Sequence, residues 1–314
     1  MTLRADTSAR GRVPKLSYDN TKRDFTLVLS GGGMRGLAHI GVLRALENVA
    51  LLPGEVIGSS VGALIGAAWC AGWEVEDLHE IALTITRRDL FRLASRDMAL
   101  KGLRSPGLYQ SQPVQDLIVG LLGDITFAEL EHPLYVNTVE LSTGAAHLWG
   151  PQETPGARVA DAVYASCALP GYLPPLCDNG RAFADGASVG NLPLDAAAAF
   201  GRSLVIAVDV GAPMANAPDL ASGGFTAAHA RAIEIGLSRM RDAVLQHWTS
   251  PPLLLLQPEV SHIPMFSFSH NGELVDAGAR MAVAALRQGL PVPGSRGVHR
   301  VGPTEQAQVR RSVA

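Results

Sequence analysis

The stretch that most constrains this chain runs from Glu55 to Ala71. A short apolar run, Glu55-Val56-Ile57, leads into Gly58-Ser59-Ser60-Val61-Gly62, and a small-residue helical run follows from Val61 to Ala71. The order strand, sharp turn, helix dictates an α/β arrangement. Gly-x-Ser-x-Gly in that setting is the nucleophile-elbow pattern, with Ser60 at its apex. A serine in so tight a turn needs small neighbours, because side chains on either side would clash. The helix that follows points unsatisfied N–H groups and a partial positive charge at the turn, which suits a developing negative charge. The same five residues also occur as a plain turn in glycine-rich chains, so the motif alone leaves both readings open.

The rest of the chain alternates in the same way. Phe25 to Leu29 reads as a buried strand, and Leu37 to about Ala50 as a helix after a glycine-rich loop. Val75 to Leu83 and Val114 to Leu122 read as helices. Leu134–Leu141 and Ala145–Trp149 flank Ser142-Thr143-Gly144, a hairpin signal. Arg158 to Ser166 reads as a helix, and residues 168–175, with three prolines, as a rigid loop. Arg181 to Ala184 leads into Asp185-Gly186-Ala187. Leu204–Val210 and Leu253–Leu256 read as strands, and Thr226–Trp248 and Gly272–Gln288 as helices. This alternation predicts an α/β fold with a mainly parallel central sheet, covered on both faces. The predicted organisation is a flexible arm over residues 1–23, one folded domain over 24–290 and a flexible tail over 291–314.

Composition narrows the function classes. A net charge of −3 gives no basic footprint for nucleic acid. The nine histidines lack metal-ligand spacing, and Cys70, Cys167 and Cys177 lie in unrelated contexts, so buried reduced thiols are expected rather than a disulfide framework or a zinc site. Residues 1–23 lack the apolar core of a signal peptide, and no window reaches the ~18–20 apolar residues of a membrane span. A cytoplasmic protein is expected. Residues 85–106 stand apart. Arg87, Arg88, Arg92, Arg96, Lys101 and Arg104 face only Asp89 and Asp97, with Leu90, Phe91, Leu93, Ala94 and Met98 interleaved. That segment is either a solvated helical connector or a cap that makes peripheral contact with a membrane surface.

Three local features carry candidate chemistry. Gly31, Gly33 and Gly36 match G-x-G-x-x-G after a strand and before a helix, with Glu55 roughly where a ribose-binding acid would fall. The competing reading is an oxyanion nest of consecutive glycine N–H groups, with Arg35 nearby to hold the loop or add positive charge, and a structural turn is the third. Ser60 needs a base. In the usual order of an α/β-hydrolase, His262 or His270 lies late enough to serve. Asp185 can instead act as the base of a Ser-Asp dyad, provided its environment raises its pKa from ~4 toward the working pH. Taken alone, Asp185-Gly186 reads equally as a turn.

Taken together, these blocks resemble a known family. Gly-Gly-Gly-x-Arg-Gly (Gly31–Gly36), Gly-x-Ser-x-Gly (Gly58–Gly62), the Ala165–Pro175 block and Asp-Gly-Ala with Asn-x-Pro (Asp185–Pro193) follow in the order seen in patatin-like phospholipases, most like the compact bacterial members. The likeness runs from about Phe25 to Arg287, and Ala187 stands where many relatives have a second glycine. The resemblance implies a patatin-like three-layer α/β/α fold. It implies Ser60 as nucleophile, Asp185 as its base, and an oxyanion hole from Gly31, Gly32 and Gly33 with Arg35. It further implies a lipid or acyl-ester substrate and no metal or organic cofactor. His39 then reads as a packing residue and Tyr172 as scaffolding of the cleft rim. Acyl transfer on the same site, a dinucleotide-binding protein and a non-catalytic lipid-binding regulator are the competing functions.

Overall fold

The computed structural model describes residues 24–211, 224–292 and 294–302. The predicted N-terminal arm lies outside the described residues, as does the end of the predicted tail from 303 onward.

Among the described residues, nine strands form one sheet: β1 (Phe25–Leu29), β2 (Glu55–Ser59), β3 (Leu134–Glu140), β4 (Ala146–Trp149), β5 (Leu176–Asp178), β6 (Arg181–Asp185), β7 (Leu204–Val208), β8 (Leu253–Leu256) and β9 (Val298–Val301). Their spatial order is β5-β6-β3-β2-β1-β7-β8-β9, with β4 also paired to β3. From β3 through β2, β1, β7 and β8 to β9 every pairing is parallel. The β3–β4, β3–β6 and β5–β6 pairings are antiparallel, so the predicted parallel sheet carries an antiparallel edge. Parallel strands covered by helices are apolar along their whole length. Accordingly β1, β2, β7 and β8 are buried at every residue, whereas β4 and β5 at the edge are partly exposed.

The helices are α1 (Ala38–Glu47), α2 (Val61–Cys70), α3 (Val75–Thr84), α4 (Arg87–Leu90), α5 (Ser95–Lys101) and α6 (Gln112–Leu122). They continue with α7 (Val159–Cys167), α8 (Ala187–Gly190), α9 (Leu194–Ala199), α10 (Gly224–His247) and α11 (Asn271–Gln288). Side chains alternate across each strand, and they feed two separate cores. Leu27, Leu29, Val56, Val136, Ile206 and Val208 pack with α1, α2, α6, α7 and α11 on one face. Val28, Ile57, Tyr135, Val205 and Ala207 pack with α9 and Leu245 of α10 on the other. The result is the three-layer α/β/α arrangement.

Two differences from expectation sit at the sheet edges. Residues 176–185 form a hairpin whose turn, Asn179-Gly180, has positive φ at both residues (47° and 76°), as a two-residue type I′ connection requires. Within the predicted tail, Val298–Val301 adds the last parallel strand by pairing with β8. Its half-buried terminal valines enclose exposed His299 and Arg300, charged or polar cover that suits an edge strand.

Candidate active site

The carboxyl ends of β1 and β2 converge with the end of β6. β2 delivers Ser60 into a positive-φ conformation (φ 52°, ψ −123°) directly before α2. Two close backbone approaches explain the flanking glycines. A Cβ on Gly58 would lie 2.5 Å from the Ala63 Cα, and one on Gly62 2.3 Å from the Leu29 carbonyl oxygen. The Ser60 N–H donates to the Ser166 hydroxyl at 2.8 Å, and that hydroxyl donates to the Asn137 carbonyl at 2.7 Å. The strained elbow is therefore braced from α7 and β3, as a backbone held in a sparsely populated region must be.

The sheet register sets Asp185 against this elbow. Ser59 lies opposite Asn137 on β3, and Asp185 lies opposite the next residue, Thr138, on the same side of β3, since β4 occupies the other side of both rungs. Asp185 is 3% exposed, and its Oδ1 accepts the Ala187 N–H at 2.9 Å. Burial pushes its pKa up to about 7, against the opposing pull of the Ala187 N–H and of a hydrogen bond from the Ser60 side chain. Cys167 lines the same cavity. Burial, then the Asp185 charge, push its thiol up, against a hydrogen bond with Ser60, so it stays protonated.

The glycine loop lies across from the pair. The Gly31 N–H donates to Asn191 Oδ1 at 3.0 Å. Among the described residues, no hydrogen bond takes the N–H of Gly32 or Gly33. Arg35 does not turn its charge into the cavity. Its Nε donates to the Ile263 carbonyl at 2.6 Å, Nη2 to the Ser261 carbonyl at 3.3 Å and Nη1 to Glu234 of α10 at 3.1 Å. With the Met34 N–H on the Met265 carbonyl at 2.8 Å, these bonds staple the loop to residues 261–265. The expected set Gly31, Gly32, Gly33 and Arg35 thus separates into two unengaged N–H donors and two anchors. His39 is fully buried, holds the Ser30 carbonyl at 2.8 Å, and is pushed by burial down to about 4, so it is a neutral packing residue.

The match with known sequences decides the kinship. The model of the family described as patatin-like phospholipase matches residues 27–198, more than half of the chain. The chain belongs to the patatin-like phospholipase family. It is 31% identical over 195 residues to the neuropathy target esterase sws of Drosophila melanogaster, covering 61% of this chain and 13% of that protein. It is 29% identical over 218 residues to the lysophospholipase nte1 of Aspergillus fumigatus, covering 69% and 14%. It is 32% identical over 211 residues to the human patatin-like phospholipase domain-containing protein 6, covering 64% and 14%. The chain therefore spans only about one seventh of the length of these relatives. Among solved structures, VipD from Legionella pneumophila overlaps with a TM-score of 0.46 at 13% identity, over 84% of this chain and 67% of VipD. The ExoU–SpcU complex from Pseudomonas aeruginosa overlaps with a TM-score of 0.43 at 15% identity, over 84% of this chain and 51% of the matched chain.

In this patatin-like chain the competing site residues fall elsewhere. His262 bonds to Glu273 at 2.9 Å on the surface, and His270 bonds to the hydroxyls of Ser267 and Ser269. Among the described residues, no histidine lines the cavity that holds Ser60 and Asp185. Glu55 opens β2, at the far end of the sheet from the glycine loop. There its carboxylate takes Arg202 at 2.6 Å and the Thr26 hydroxyl. Both its place and its partners remove the acid that a dinucleotide site needs. Tyr172 lies on the cavity wall, as expected of a rim residue. The described residues include no group of three or more His, Cys, Asp or Glu able to hold a metal, and the three cysteines are unpaired. They also include no helix long and apolar enough to cross a membrane.

Proposed function

We propose that this chain is a serine acyl hydrolase of lipid esters, of phospholipase A or lysophospholipase type, working through a Ser60–Asp185 dyad. The observation that carries the reading is a strained serine hydrogen-bonded to a buried carboxylate whose pKa is raised to about 7, in an apolar cavity that no histidine lines among the described residues. The cavity encloses about 950 Å³ with its mouth included, and Leu90, Phe91, Val114, Leu117, Leu169 and Phe266 are among its walls. Such a wall suits an acyl chain, with few polar groups to fix its orientation.

In the reaction, the Ser60 Oγ attacks the acyl carbonyl while its proton passes to Asp185. The Gly32 and Gly33 N–H groups and the positive end of α2 stabilise the tetrahedral oxyanion. Collapse expels the alcohol, which takes the proton back from Asp185. Water then attacks the acyl-serine, Asp185 receives its proton, and the acid departs as Ser60 is reprotonated. A base near pKa 7 suits both directions of transfer at neutral pH.

Residues 85–106 are proposed to bring the cavity to a lipid surface from the cytoplasmic side. Leu90 and Phe91 line the cavity, while Leu93, Met98 and Leu100 on the same segment are 54%, 41% and 84% exposed among its basic residues. Apolar side chains ringed by cations suit an interface with anionic lipid.

The test is serine-directed fluorophosphonate labelling, with hydrolysis of lysophosphatidylcholine and phosphatidylcholine, on wild type, Ser60→Ala and Asp185→Ala. Labelling and turnover are expected in the wild type alone. Persistent labelling of Ser60→Ala defeats the assignment. Product analysis with added glycerol or lysolipid identifies acyl transfer if acylated acceptor replaces free acid.

A further inference from the structure

Asn191 is 8% exposed and borders the same cavity as Ser60 and Asp185. Its amide grips one residue twice. Oδ1 accepts the Gly31 N–H at 3.0 Å, and Nδ2 donates to the Gly31 carbonyl oxygen at 3.0 Å. The contact leaves no room for a side chain, since a Cβ on Gly31 would lie 2.4 Å from Asn191 Oδ1.

The second bond has a consequence one atom further along. The Gly31 carbonyl and the Gly32 N–H belong to the same planar trans peptide, so they point in opposite directions. Holding the carbonyl oxygen sets the direction of the Gly32 N–H. The first bond meanwhile keeps the Gly31 N–H from competing for the same ligand. Asn191 is itself held from behind. Asn137 Nδ2 donates to the carbonyl of the preceding residue, Gly190, at 2.8 Å, and to the Ser59 hydroxyl at 3.1 Å. The chain from β3 through Asn137 and Asn191 to Gly31 therefore ties the elbow, the base-bearing segment and the glycine loop into one frame.

We infer that Asn191 is a positioning residue that aims the Gly32 N–H at the reacting carbonyl oxygen, so that the segment supplying the base also sets the oxyanion hole. This rests on the Ser60–Asp185 reading. It assigns Gly31 to alignment and leaves Gly32 and Gly33 as donors. Interactions realised only in the transition state change kcat rather than KM, and an ångström of misplacement costs on the order of 100-fold.

The experiment uses Asn191→Ala and the isosteric Asn191→Asp. Both are titrated to completion with a fluorophosphonate to count active sites, then assayed on p-nitrophenyl butyrate at pH 8. Each is also tested for inhibition by an alkyl trifluoromethyl ketone, whose adduct with serine carries an oxyanion. In Asn191→Ala, kcat per titrated site is expected to fall roughly 10- to 100-fold, with KM within about 3-fold and ketone affinity weakened in parallel. Asn191→Asp keeps the acceptor but sets an anionic oxygen against the Gly31 carbonyl, and is expected to fall at least as far. It carries the test alone if the alanine variant does not fold. Wild-type kcat per titrated site with unchanged ketone affinity would show that Asn191 only stabilises the fold, and a raised KM at constant kcat would equally overturn the inference. Failure of the underlying reading looks different, because Ser60→Ala would then still be labelled.

Discussion

Replacing Asp185 by Asn separates what the carboxylate does for the reaction from what it costs the fold. The amide has the same shape, can still accept the Ala187 N–H, and cannot take a proton. Loss of a positioned base typically costs 100- to 10,000-fold, so kcat should fall by about three orders of magnitude. Stability should move the other way. Burial raises the native pKa from an ordinary 3.8 to about 7. A carboxyl raised in the fold favours the native state fully below pH ~4, and that contribution is lost as pH rises through about 7. Linkage at 1.36 kcal/mol per pH unit gives a burden of about 4 kcal/mol at pH 8 but only about 2 kcal/mol at pH 5. Changes in hydrogen bonding by the amide are independent of pH and cancel in the comparison. Asp185→Asn should therefore gain roughly 2–3 kcal/mol more over wild type at pH 8 than at pH 5, read from urea unfolding at both values. In the wild type, kcat/KM should rise with pH through about 7 and then level. Equal stability offsets at the two pH values, or a rate profile with its midpoint near 4, would refute the claim that the carboxylate is desolvated.

Three further outcomes follow from the same geometry. His262→Ala and His270→Ala should keep activity within about 2-fold of wild type, because both rings bond outside the cavity; a loss of 100-fold or more in ester hydrolysis would point to an ordinary triad. Arg35→Met should lower the unfolding free energy by about 2–4 kcal/mol in urea titrations, because it releases two carbonyls and leaves Glu234 without one of its partners. Leu100→Asp should weaken co-sedimentation with vesicles containing phosphatidylglycerol several-fold while p-nitrophenyl butyrate turnover stays at the wild-type level.

Much of this fold was readable because its signals are local. The glycine-flanked Ser60 reports its own turn, and the continuous apolar runs at Phe25–Leu29 and Leu204–Val208 report strands buried on both faces. Asp185 was readable only through its company, since Asp-Gly alone is a turn. The braces were not readable. Ser166 meets the Ser60 N–H across 106 positions, and Asn191 meets Gly31 across 160, so neither bond leaves a mark on neighbouring residues. Cys167 likewise reads as a buried reduced thiol, and nothing near it in sequence tells that it lines the cavity beside Ser60 and Asp185. Arg35 was readable only as a cation beside a glycine loop, there to hold it or to add charge; the three acceptors its fork matches lie 199 to 228 positions away and left no local mark. Asn179-Gly180 was a usable hairpin signal, and the short, polar strands flanking it obscured it. The strand at Val298–Val301 is too short and too exposed to announce itself without its partner β8.

The opposite polarity of β6 and β3 has a consequence for how this protein can change over time. Asp185 reaches Ser60 by counting rungs along β3, so strand register and not loop length meters the spacing of the pair. The exposed tip at 142–144 and the Asn179-Gly180 turn lie outside that count. Residues gained or lost there should leave the spacing of Ser60 and Asp185 in place. One residue deleted between Phe183 and Asp185, the stretch paired with β3, would force a slip that swings the carboxylate to the other face of the sheet. Lineages of this fold are therefore free to lengthen the hairpin tips, while the three residues Phe183–Asp185 are locked in number even where the identities before the carboxylate are free to drift.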